Sequence, residues 1–224
     1  MQATAVPWRR LARAGLLGLA TLCGSAAQAQ AASNTSLNAQ LLVAARQADV
    51  PAVQQALARG AAADSRNRLG KTVLLLAAEK GNGAMADAAL RAGASVDLAS
   101  VEQVTPLMAA CHGGHAAIVR SLLQAGARTG LVDRMHKPAI VYAAGQGHAE
   151  VVRLLLDAGV RADAAYENQL TALMWAAGSG SVPTVQLLLE RGAPADARDD
   201  RGLRAVDIAR QAGHPALVAL LDGR

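Results

Sequence analysis

Residues 104–127 read VTPLMAACHGGHAAIVRSLLQAGA. Thr105-Pro106 opens a first helix, because Pro suits an initial turn where its missing N–H costs nothing. Ala109-Ala110-Cys111 keeps that helix thin enough to stack on neighbours. Gly114 turns the chain. Val119, Leu122 and Leu123 then lie at i, i+3 and i+4, the apolar face of a second helix. Gly126 ends it in the left-handed conformation that glycine tolerates at a helix C-terminus. The stretch is one helix-turn-helix unit.

The unit recurs. Gly60, Gly93, Gly126, Gly159 and Gly192 are spaced by 33 residues. Gly81, Gly114, Gly147, Gly180 and Gly213 hold the same period, as do Ala44, Ala77, Ala110, Ala143, Ala176 and Ala209. Three positions sharing one period mark a repeat architecture. Thr105-Pro106-Leu107, Gly114-His115, Ile118-Val119, Leu122-Leu123 and Gly126-Ala127 resemble the ankyrin repeat, and the likeness covers the chain after about residue 36. That family implies an all-α repeat solenoid of stacked helix-turn-helix units with short β-hairpin-like finger loops. The sequence departs from the family where a His follows T-P-L and ties neighbouring loops: Leu75, Met108, Val141, Met174 and Asp207 stand there. Pro138 replaces the Thr. At the second-helix start, Asp49 and Ser181 replace His, and both are expected to act as N-caps.

The expected division is a leader at 1–29, a flexible lead-in at 30–36 and a repeat domain at 37–224. The repeat units are 37–66 (degenerate), 67–99, 100–132, 133–165, 166–198 and 199–224 (a cap). End units depart from the pattern because one face meets water.

The period settles the reading of LTALMWAAGSG at 170–180. Its glycines end a helix, whereas a phosphate-binding loop follows a strand and opens one. Trp175 shares its position with Leu76, Ala109, Tyr142 and Ile208. It is either an aromatic packed between repeats or an anchor on the binding face, where Trp is favoured.

Composition agrees with close-packed helices. The chain is 52% hydrophobic but 2% aromatic, without Phe. Its core therefore rests on Ala, Leu and Val, and Ala has the best helix propensity. At the N-terminus, Arg9, Arg10 and Arg13 precede an apolar run from Ala14 to Cys23 and an Ala27-Gln28-Ala29 segment. That order is expected of a secretory signal peptide cleaved after Ala29 or Ala31. The run is short for a membrane span, which needs roughly 20 residues. Leu22 before Cys23 disfavours a lipoprotein, and the residues around Arg9-Arg10 favour Sec over Tat export. Cleavage lowers the formal charge of +5 by three, so the high isoelectric point is no case for nucleic acid. Cys111 is then the single thiol, expected as a small buried hydrophobe.

No catalytic constellation stands out. His115, His148 and His214 share one repeat position, and His112-Gly113-Gly114-His115 lacks further ligands for a metal. The expectation is a non-enzymatic, monomeric module without cofactor or metal. It would be exported to the periplasm, without a membrane span in the mature chain, and would bind a protein partner rather than nucleic acid. Exported proteins that the chain resembles serve catalase-linked peroxide defence or immunity to secreted toxins. The alternative is a small-ligand or haem carrier on the same stack. The resemblance places the partner on a concave face of finger tips and outward first-helix positions. Those are Arg68, Lys71, Glu79, Lys80, Val101, Val104, His112, Arg134, Met135, Lys137, Gln146, Asn168, Leu170 and Trp175. RNRLGK at 66–71 and DRMHK at 133–137 make two basic fingers, with Val101 and Val104 expected exposed between them. This suits a partner with an acidic rim around an apolar centre.

Overall fold

The computed structural model describes residues 36–223. The expected leader, its cleavage sites, Cys23 and the Arg9-Arg10 pair lie outside the described residues. Helix α1 runs through 36–47, so Ser36, expected in the lead-in, is already helical. The first helices of the following units are α3 (Val73–Lys80), α5 (Pro106–His112), α7 (Ala139–Gly145), α9 (Ala172–Ser179) and α11 (Ala205–Gln211). The second helices are α2 (Val50–Ala58), α4 (Gly83–Arg91), α6 (Ala116–Gln124), α8 (Ala149–Asp157), α10 (Val182–Glu190) and α12 (Pro215–Leu221). Each row packs along itself, α3 to α11 in one layer and α2 to α12 in the other. The result is the expected all-α solenoid.

Ala77, Ala110, Ala143, Ala176 and Ala209 are all fully buried between neighbouring units. Their small side chains let the helices approach. Larger residues fill the core to either side, including Leu74 and Leu75 of α3, Leu122 of α6, Leu155 of α8 and Leu188 of α10. One continuous core runs the length of the stack.

The first helices are capped by buried threonines. The hydroxyls of Thr72, Thr105 and Thr171 accept from the N–H groups of Leu75, Met108 and Met174 at 3.2–3.3 Å. Met108 and Met174, at the position of the family's His, return a weak bond: each sulfur accepts from its N-cap N–H at 3.5 Å. Asp207 does the same for α11, accepting from the Arg204 N–H at 3.0 Å. Pro138 has neither a hydroxyl to cap α7 nor an N–H to satisfy.

The second helices begin differently. Asp49 caps α2 through the Ala52 N–H, as expected, and Asn82 caps α4 through that of Met85. Ser181 does not cap α10. Its hydroxyl bonds the Gly147 carbonyl at 3.2 Å and the Thr184 hydroxyl at 2.9 Å. The backward bond to the preceding unit wins over the cap. His148 and His214 also reach backward, each donating from Nε2 to a carbonyl of the previous unit, His112 at 3.1 Å and Gly178 at 3.2 Å. Their rings lie over Gly114 and Gly180, and His115 lies over Gly81. A Cβ on any of these glycines would stand 2.5–2.7 Å from a ring atom. The periodic glycine is thus required twice, by its left-handed backbone (φ +68° to +79° at these three) and by the ring above it.

Candidate partner-binding face

The fingers project from the edge of the first-helix layer. Each is closed at its base by one backbone bond, repeated every 33 residues: Asn67 to Lys71, Ser100 to Val104, Asp133 to Lys137, Tyr166 to Leu170 and Asp199 to Leu203. The N–H of the first residue donates in every pair. Side chains tighten three of these turns. Oδ1 of Asn67, Asp133 and Asp199 accepts from the N–H groups two and four residues on, at 2.9–3.0 Å. Isolated antiparallel bridges at Val132–Pro138 and Ala165–Thr171 are the only β pairing among the described residues. These turns are the expected hairpin-like fingers.

Each finger has a left-handed residue at one repeat position, Gly70, Gln103, His136, Gln169 or Gly202, and the fourth has a second at Asn168. Neighbouring fingers are joined by N–H donation from Val101 to Leu69, Arg134 to Glu102 and Asp200 to Asn168. The first three tips are thus bonded into one row, and the last two to each other.

The row carries large apolar side chains in the open. Leu69, Val101 and Met135 are 60%, 46% and 59% exposed. Val101 and Met135 match expectation. Val104 does not: it is half-buried and packs against the core, because its finger position points back toward α5. Leu69, inside the basic stretch 66–71, is exposed in its place. The basic character of the fingers is also reduced. Lys71 pairs with Glu79 at 2.7 Å and Arg134 with Glu102 at 3.6 Å. Arg66 donates to the Gly70 carbonyl, while Arg68 stays exposed. Asn168, with φ +57°, sits in the 3-10 turn Glu167–Gln169 at the fourth tip.

Below the fingers, the outward sides of the first helices hold two hollows. Glu79, Val104, His112 and Tyr142 line one. His112 meets Tyr142 edge-on, with ring centroids 5.8 Å apart, and its Nε2 lies 3.4 Å from Gln146 Nε2. The Tyr142 hydroxyl donates to Asp133 Oδ2. Burial, then the bond and charge of Asp133, push its phenol well above the ordinary tyrosine value. Leu170, Trp175, Ile208 and Arg201 line the second hollow. Trp175 is half-buried, with the Lys137 ammonium 4.8 Å from its ring centroid. It packs beside Gly145 and lines the open hollow. Lys80 and Gln146 are exposed at the ends of α3 and α7. Tyr142, Ile208 and Arg201 were not singled out from sequence. Tyr142 and Ile208 share the repeat position of Trp175, and that was the available signal.

Cys111 is fully buried, and burial raises its thiol pKa far out of the reactive range. No group of three or more His, Cys, Asp or Glu among the described residues is placed to hold a metal ion. No described helix is long and apolar enough to cross a membrane.

No curated protein matches the chain. The family model for ankyrin repeats in three copies matches residues 41–133, 114–199 and 140–223, overlapping spans that cover the stack. Together with the paired helices and linked fingers, this match shows that the chain belongs to the ankyrin repeat family.

Proposed function

We propose that the chain is a non-enzymatic, monomeric module that holds a protein partner on its finger tips and first-helix face. One observation carries this reading: Leu69, Val101 and Met135 stand exposed on three successive fingers whose backbones are already bonded together. Exposed apolar groups on a pre-ordered row favour binding, because little conformational freedom is lost when a partner arrives. The second helices offer a contrast. Arg153 on α8 and Arg191 after α10 are exposed, and Arg191 is tied to Asp157 at 2.8 Å. The test compares two variants for partner capture. Replacing Leu69, Val101 and Met135 with Ser should abolish capture, while replacing Arg153 and Arg191 with Ser should preserve it. Equal loss in both folded variants rejects the assignment.

Export to the periplasm is part of the same proposal, supported by the basic, apolar and A-x-A order of residues 9–29. A partner in peroxide defence, such as a catalase, or a secreted toxin fits an exported binding module. Intact-mass measurement of periplasmic protein should show the loss of about 29–31 residues. Full-length protein retained in the inner membrane would refute export.

A further inference from the structure

Gly145 in α7 and Gly178 in α9 occupy one repeat position, held by Glu79 and His112 in the preceding units. Neither glycine is left-handed. A Cβ would meet Trp175 Cε3 at 3.4 Å from Gly145 and Ile208 Cγ2 at 3.5 Å from Gly178, both ordinary contacts. Neither backbone nor packing therefore demands glycine, and glycine weakens a helix relative to alanine. The pair instead leaves a hollow of about 380 Å³, walled by Leu170, Trp175 and Ile208.

The residues lining this hollow carry charge of one sign. Among the described residues that line it, none is Asp or Glu, whereas Arg201 is one of them. The Arg201 side chain is 65% exposed; its Nε and Nη2 donate to Oδ2 of Asp199 at 2.9 and 2.7 Å, while Oδ1 of that 2% exposed carboxylate accepts finger N–H groups. Lys137 adds a second cation over the Trp175 ring. The floor is apolar, and the rim carries the Lys137 ammonium beside the Asp199-paired Arg201 guanidinium.

We propose that this hollow receives one bulky apolar side chain from an acidic segment of a partner protein, an inference that rests on the concave-face reading above. The apolar group fills the space left by the two glycines and packs on Trp175. Flanking carboxylates meet Lys137 and Arg201, where opposite charge steers approach and fixes the register of the segment. The hollow at Glu79 and His112 has a carboxylate in its wall and does not suit the same segment.

The full chain and its Gly145→Ala/Gly178→Ala variant provide the test, with displayed random peptides as the probe. Peptides selected on the unmodified protein should carry a large apolar residue flanked by Asp or Glu. They should bind the double variant about thirtyfold more weakly, the loss of one buried anchor. The variant should melt no lower than the parent, so this loss is not unfolding. Lys137→Gln, which leaves the floor open, should also weaken the same peptides and reduce their salt dependence. Enriched peptides that are basic, that lack an apolar anchor or that bind both proteins equally overturn the proposal, as does an absence of enrichment. The natural partner separates this proposal from the broader one. If the Leu69/Val101/Met135→Ser protein loses the partner while the double-alanine protein keeps it, the hollow is wrong and the concave face stands. If both keep it, both readings fail.

Discussion

Replacing Gly114 with alanine tests how neighbouring repeats are locked together. The backbone there has φ +69°, and an added Cβ would stand 2.7 Å from ring atoms of His148. Gly126 supplies the control: it has φ +86°, and its Cβ would meet nothing within 4 Å. Alanine in the left-handed region costs about 1–2 kcal/mol, and Gly126→Ala should lose only that. Gly114→Ala must also displace the His148 ring, whose Nε2 donates to the His112 carbonyl at 3.1 Å. Losing that bond costs about 1 kcal/mol, with lost ring packing beside it, so Gly114→Ala should cost about 2–4 kcal/mol in total. A double-variant cycle with His148→Ala should then show coupling of about 1–2 kcal/mol between the two positions. Urea unfolding followed by far-ultraviolet circular dichroism measures each stability. The account fails if the two glycine variants agree within about 0.5 kcal/mol, or if the cycle returns no coupling.

Other outcomes follow from burial and charge. Leu155→Ala should cost about 2–5 kcal/mol, since the side chain is fully enclosed; a neutral result in the same unfolding assay would mean that the register is wrong. Cys111 should resist thiol reagents in the folded protein and react at full rate in denaturant; fast native labelling would contradict its burial. The raised phenol of Tyr142 gives stability that is fully present below the ordinary tyrosine pKa of about 10 and is lost as pH climbs through its higher folded value. Stability should therefore fall more steeply above about pH 10 in the parent than in Tyr142→Phe, and equal slopes would refute that linkage.

The 33-residue period made the helix pairs legible, because Gly114, Ala110 and Leu122 each have a counterpart in neighbouring units and a helix of that length has one apolar face. What the period could not show is which neighbour a side chain chooses. Ser181 has the chemistry of an N-cap, yet its hydroxyl turns back to Gly147 of the previous unit. That choice depends on the distance between units. Among the fingers, Val101 and Val104 looked alike in sequence. The left-handed residue at Gln103 separates them, leaving one outside and the other against the core. A non-glycine residue gives little warning of a positive φ. Leu69 had the same ambiguity. The surroundings of Trp175 are not legible from its own unit, because its ring packs beside Gly145 of the unit before it. The bend position itself was readable in retrospect, since Gly70 and Gly202 mark it at both ends of the stack.

Amide hydrogen exchange of the protein with its captured partner tests the central claim most directly. Added protection should fall on residues 66–71, 100–104 and 133–137 and on the exposed ends of α5, α7 and α9, with α6, α8 and α10 unchanged. Protection centred on the second helices, with the fingers exchanging as in the free protein, would contradict the account.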